Sequence, residues 1–367
     1  MMRGRILPQR LTERHRPLTA RRRVGEIPRM RRWRVGFLGF GNVNAALLGL
    51  LDARRDELRT RHGIEFIVTF AATRRLGAVA DAGGLDTERL LGRDWSGASD
   101  LARALAGAPI DLLFEGTTLE PRTGEPATSS VRAALGRGVS VVTANKGPVA
   151  FAARELLRLA RARGVGFRFE SSVADCLPVF DLVETALPVG RVLSFHGVVN
   201  GTSNLVLQEI ARGGDLDAAV RAAQAQGIAE ADPSHDLDGW DQAVKAVILA
   251  NVLLGRDLRP GDVERTPLSA VDRAWLGAET GAGRVVRLVA SGAMTGPVRV
   301  AAESFEPGEF LATLGGEALG LLLRTEPAGE FRVALADRGV IQTAYGMLSD
   351  FVALQQGRLL PPGPLLD

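Results

Sequence analysis

The hydrophobic pattern changes period along the chain, and the changes divide it. Residues 33–39 (WRVGFLG) form a short apolar run ending in glycine, as a buried strand does. Gly39 and Gly41 lead into Ala45, Leu47, Leu48 and Leu51, apolar positions at helical spacing. Further strands are predicted over 65–72, 110–114 and 139–143, with helices near 126–137 and over 149–163. This alternation, with turns at the carboxyl ends of the strands, predicts a doubly wound parallel sheet. After 167–170 the order changes. A strand is predicted over 191–200, then helices over 202–212, 215–226 and 238–254. The stretch 259–340 is weakly periodic, with strands over 297–304 and 330–335, and a helix over 343–355 closes the pattern. The expected organisation is an α/β dinucleotide-type unit over 33–168, a mixed α+β unit over 169–340, and a terminal helix and tail over 341–367 returning to the first unit.

Residues 1–32 lack such a pattern and read as a basic arm without a core. Residues 1–34 hold 12 arginines against Glu13 and Glu26, a net of +10, so the remaining chain carries −7 within the overall +3. The body therefore has no nucleic-acid footprint; only the arm could contact a polyanion. The arm lacks the apolar stretch of a secretory signal, and Met30, just before the first strand, reads as an alternative start. No run of about 18 uncharged apolar residues predicts a membrane span. The single cysteine, Cys176, sets a reducing cytoplasm as the expected compartment and reads as a packing residue.

Of 45 basic residues only Lys146 and Lys245 are lysine. Arginine replaces lysine readily on a solvated surface, but not where a compact ammonium or a losable proton is required. Both lysines fall in motifs. Lys146 lies in TANKGP (143–148), at the sheet edge where such folds bind ligands, although a helix-capping turn before Pro148 explains the same residues. Asp241 and Lys245, four apart, share one helix face, beside Glu230, Asp232, Asp236 and Asp238. The apolar continuation to Leu254 places this charged turn at the mouth of a buried cleft, where desolvation tunes a lysine for proton transfer; an exposed ion pair is the plainer reading. Gly39-x-Gly41 suits a pyrophosphate at a helix amino terminus. Thr73-Arg74-Arg75 ends the second strand with no carboxylate, which suits the 2′-phosphate of NADP better than the bare ribose of NAD. The four histidines show no metal-ligand spacing.

Together, GFGNV (39–43), EGTTLEPRTGEPA (115–127), VTANKGP (142–148), the segment 170–178, VNGTSN (199–204) and QGIAEADPSHDLDGWDQAVKAVILA (226–250) resemble homoserine dehydrogenases; beyond 255 the likeness rests mainly on QTA (342–344). The resemblance implies a Rossmann-type domain followed by a substrate-binding and dimerisation domain, a homodimer, and reversible oxidation of L-homoserine to L-aspartate 4-semialdehyde with NAD(P). By it, Lys245 moves the proton at the substrate hydroxyl, Glu230 and Asp241 bind homoserine, and Lys146 lies between nicotinamide and substrate. Phe40, Gly41, Asn42, Val43, Arg74, Thr117 and Gly227 would line the cofactor. A monovalent cation such as sodium would sit at the segment of Glu170, Val173, Asp175 and Leu177, mostly on backbone carbonyls. Asn44 stands where a glycine is frequent, and Asp175-Cys176 where a small glycine-rich pair is common. No length beyond 355 is expected to hold a regulatory domain for threonine feedback.

Two other readings have distinct signatures. An aspartate-semialdehyde dehydrogenase needs a nucleophilic cysteine, for which Cys176 has no setting. A cofactor-sensing regulator acting through the arm would dispense with the acid and base, yet Glu230, Asp241 and Lys245 are all present.

Overall fold

The structure, a computed structural model, describes residues 29–225, 233–361 and 363–364. Six strands build the first sheet: β1 (Arg31–Leu38), β2 (Ile64–Thr73), β3 (Gly77–Ala80), β4 (Leu112–Glu115), β5 (Ser140–Thr143) and β6 (Phe167–Arg168), in the order β3-β2-β1-β4-β5-β6. All neighbours are parallel except β3, which returns antiparallel to β2. Central strands covered on both faces read as apolar runs rather than as alternation, and Val35, Phe37, Leu112 and Phe114 are fully buried. One face packs on helices Ala127–Gly136 and Lys146–Arg163, the other on helix Asn42–Ala53 and the closing helix Val340–Gln355. Phe351 of that last helix stands edge-on to Trp33 and Phe114, at 5.5 and 5.6 Å between ring centres. Gln355 Oε1 accepts from the Trp33 indole at 3.0 Å.

The second sheet holds β7 (Arg191–Val198), β8 (Glu264–Arg265), β9 (Val285–Ala293), β10 (Arg299–Phe305), β11 (Leu319–Glu326) and β12 (Gly329–Leu335), ordered β12-β11-β7-β9-β10-β8. Its pairs are antiparallel except β8 with β10. Helix Trp240–Leu254 lies between this sheet and helix Lys146–Arg163, and its residues 242–244 and 246–254 are buried. That is why its sequence is apolar on every side.

Several strands lay outside the sequence expectation, among them β3, β8, β9 and β11. In β9, Arg287 interrupts the apolar run, yet its guanidinium is buried and donates to the carbonyls of Leu311, Ala312 and Leu314. In β11, consecutive leucines hide the period-two alternation, and β3 is only four residues long. The helix Arg273–Gly281 was also unforeseen. The closing helix starts three residues earlier than its periodicity suggests, at Val340 just after Gly339.

Candidate active site

The turn after β1 fits a dinucleotide. Gly39 has φ +75°, and a Cβ there would lie 2.6 Å from the Thr117 amide nitrogen, so only glycine lets the two turns touch. Gly41 caps helix Asn42–Ala53 without a side-chain bond to the first turn, which suits an anion at the helix end. Asn44 does not push the helix away. Buried completely, its amide donates to the carbonyls of Leu38 (3.1 Å) and Gly39 (3.0 Å), tying helix to strand. A cleft of about 570 Å³ opens here, bordered by Phe40, Gly41, Thr73, Arg74, Arg75 and Arg93. Phe40 turns its ring into the core against Phe37 and offers the cleft its backbone. Asn42 accepts a hydrogen bond from Arg93 at 2.8 Å.

A second cavity of about 220 Å³ adjoins the first, and Gly116 and Thr117 line both. Val43, Asn145, Lys146, Asp175, Lys245 and Thr343 complete much of its wall. Asn145 caps helix Lys146–Arg163 by accepting from the Gly147 amide, which places Lys146 in the first turn. Glu115, wholly buried at the end of β4, accepts from the Thr117 amide (2.8 Å), the Thr117 hydroxyl and the Thr143 hydroxyl (2.6 Å). Burial pushes its carboxyl up, and the two threonines only partly oppose that shift.

The charged centre joins three segments. Asp241 meets Lys245 Nζ at 2.8 Å through Oδ2 and Lys146 Nζ at 3.3 Å through Oδ1. Lys245 also donates to the Val199 carbonyl at 2.6 Å. The Asn200 amide donates to both Asp241 and Asp236 at 2.8 Å. Burial alone would raise the Asp241 carboxyl, but the two ammonium groups outweigh it and hold it well below the usual carboxylate range. Asp241 in turn raises Lys146, against burial. Burial, then the neighbouring Asp241, pushes Asp236 up.

Lys146, Lys245 and Asp241 thus lie together, the Asp241–Lys245 pair as one helix face predicts, while Glu230 and Gly227 lie outside the described residues. Asn200, Glu115 and Arg93 were missed. Asn200 stood only within the VNGTSN stretch; its side chain also caps the following helix by accepting from the Ser203 amide. In the segment 170–177, Val173 and Leu177 are buried. The Glu170 carboxylate accepts the amides of Val179, Phe180 and Asp181 at 2.5–2.9 Å, and burial pushes it up to about 8. Asp175 accepts from Gly339 and Thr343. Both carboxylates are thus engaged, and a cation at this loop would rest on backbone oxygens. Among the described residues, no three or more His, Cys, Asp or Glu cluster as metal ligands, and no helix is long and apolar enough to cross a membrane. Burial raises the Cys176 thiol, the opposite of an activated nucleophile.

A family model described as homoserine dehydrogenase matches residues 178–352. An NAD(+)-dependent homoserine dehydrogenase of Pseudomonas canavaninivorans is 34% identical over 343 residues, covering 89% of this chain and 97% of the relative. The chain belongs to the homoserine dehydrogenase family. A homoserine dehydrogenase of Methanocaldococcus jannaschii is 30% identical over 331 residues, 86% of this chain and 96% of that one. A solved hyperthermophilic archaeal homoserine dehydrogenase in complex with NADPH superposes with a TM-score of 0.76 at 26% identity, over 89% of this chain and 98% of that one. The fold is accordingly a Rossmann-type domain with a second, mixed domain.

Proposed function

We propose that this homoserine dehydrogenase oxidises L-homoserine reversibly to L-aspartate 4-semialdehyde with Lys245 as the proton-transfer residue and NADP as the preferred cofactor. The observation that carries this is the Lys146–Asp241–Lys245 cluster in a cavity continuous with a glycine-lined nucleotide cleft. The bound nicotinamide supplies a hydride acceptor. Phe40 to Val43, Thr117 and Gly227 would hold the cofactor, and Lys146 would lie between it and the substrate.

An ammonium has three donors. Two of those on Lys245 are fixed by Asp241 and the Val199 carbonyl. The third is the proton exchanged at the substrate oxygen: neutral Lys245 takes it from the hydroxyl as the alcohol is oxidised, and the ammonium returns it in reduction. Asp241 stays anionic and Lys146 stays protonated, so both hold the field of the site constant while Lys245 cycles. Glu230 and Asp241 would bind homoserine, Glu230 at its ammonium group.

Arg74 and Arg75 border the cleft at the β2–β3 turn, and Arg93, bonded to Asn42, borders it too. These cations favour a 2′-phosphate. A monovalent cation such as sodium would rest on the backbone of the 170–177 loop. The second-sheet face that carries Leu322, Arg324 and the His196–Glu303 pair at 2.8 Å, beyond the part covered by Leu311, Ala312 and Leu314, would meet a second copy in a homodimer. The cytoplasm is the expected compartment. Absorbance of reduced nicotinamide, followed with L-homoserine and each cofactor, tests the reading. No reduction with either cofactor across neutral to alkaline pH would overturn it. Light scattering tests the dimer, and omission of sodium tests the cation.

A further inference from the structure

Asp175 adopts φ +54° and ψ −116°, a conformation open to glycine and strained for a residue with a side chain. Such strain persists only where the surroundings over-determine it. Here they are the first turn of the closing helix. The Asp175 carboxylate accepts the Gly339 amide at 3.1 Å and the Thr343 hydroxyl at 2.9 Å. From the same loop, the Ser171 hydroxyl donates to the Thr343 carbonyl at 2.8 Å. One turn further on, a Cβ on Gly346 would lie 2.2 Å from Ser171 Oγ and 3.0 Å from the Asp175 carbonyl oxygen. Loop and helix therefore meet along two turns. Asp175 and Thr343 both line the cavity that holds Lys146 and Lys245.

We infer that Asp175 is a positioning residue of the reaction, whose carboxylate pins Thr343 and the amino end of the closing helix as a fixed wall of the reaction cavity. The Thr343 hydroxyl has one proton and two acceptors within reach, Asp175 Oδ1 and the Gly339 carbonyl, each at 2.9 Å. The charged acceptor forms the stronger bond and sets the rotamer. Without it the hydroxyl turns back to its own helix, and of the bonds named above only that from Ser171 to the Thr343 carbonyl still ties the wall to the loop. This inference rests on the dehydrogenase reading for its catalytic half only.

The test uses Asp175→Gly, Asp175→Asn, Thr343→Val and the double variant Asp175→Gly/Thr343→Val in the full chain. Glycine relieves the strained backbone and leaves the Asp175 carbonyl in place for any cation, so only the carboxylate ties are lost. Asp175→Gly is expected to lower kcat about tenfold or more, with a smaller change in KM for homoserine and in NADPH affinity measured by fluorescence. Asp175→Asn, which tolerates this backbone better than most residues and keeps one acceptor, should retain more turnover. The double variant should be no slower than the slower single one. Without cofactor, amide hydrogen exchange over 339–345 should speed up in Asp175→Gly. Turnover within twofold of the parent, or losses that multiply in the double variant, would overturn the positioning role. So would rate losses explained by a thermal midpoint that falls below the assay temperature. If the parent itself fails to oxidise homoserine, the functional reading fails, while the exchange data still decide whether Asp175 pins the helix.

Discussion

Among the described residues, two buried ionic clusters are built on opposite plans. At the cavity, two lysines share Asp241, and the side chains of Lys245, Asp241 and Lys146 keep 11%, 14% and 25% of their surface open. Behind the segment 170–177, the Arg168 guanidinium, 1% exposed, bonds Asp350 at 2.8 Å, Asp181 at 2.5 Å and Glu184 at 3.1 Å. Arg358 reaches the last two carboxylates from the chain's end. Burial pushes the Asp350 carboxyl up to about 6, against the pull of Arg168. The closed cluster uses a planar, permanently charged fork with several donors in fixed directions. The open one uses a point charge that can lose a proton. The chain's two lysines both sit in the open cluster, and the closed one holds only arginine as its cation.

Exchanging the cations between the plans should separate them. Lys245→Arg should keep the fold but lower kcat about 10²-fold or more, the usual scale of acid–base catalysis; near-parental turnover would reduce Lys245 to a structural partner of Asp241. The reciprocal Arg168→Lys should leave kcat per folded molecule intact and cost about 1–3 kcal/mol in urea unfolding, because an ammonium cannot reach all the acceptors. A loss in kcat instead would link the closed cluster to chemistry. Smaller still, Arg74→Asp should weaken NADP about tenfold relative to NAD, as expected for a lost charged hydrogen bond; equal losses would show that Arg74 does not read the 2′-phosphate. The gentlest change is Glu115→Gln, a buried carboxyl with no cation among the partners described above. Its raised pKa means that the folded chain holds this proton longer than the unfolded one, so its stabilising contribution declines as pH climbs above about 4.3. The variant's deficit against the parent should therefore be greater at pH 5 than at pH 8. A constant gap would show that Glu115 does not titrate in this way.

Much of the site was legible because its key pair is local. Asp241 and Lys245 are joined by helix geometry alone, and the scarcity of lysine marked both cations. The bond from Asp241 to Lys146 depends on two helices from different layers, and no spacing encodes it. Asn200 was unreadable for the same reason, since its bonds to Asp236 and Asp241 cross between helices. In the fold, the parallel strands announced themselves as apolar runs. β9 did not, because its buried Arg287 satisfies itself on carbonyls far along the chain. Arg93, at φ +55°, meets Asn42 only through tertiary packing.

The return of the closing helix has a consequence for synthesis. One face of the first sheet gathers Trp33, Phe37, Phe114 and Val142 with Ala344, Met347 and Phe351 in a single core. The ribosome delivers β5, ending at Thr143, long before it delivers residue 355. At about 5–20 residues per second, that interval lasts on the order of 10–40 seconds. During it the aromatic rings of β1 and β4 have only helix Asn42–Ala53 as cover and lack the part supplied by the closing helix, and a nascent chain in that state offers the uncovered apolar patch to chaperones or to its neighbours. A message truncated just before 340 would leave both lysines encoded and yet release a protein with that part of the face open to water.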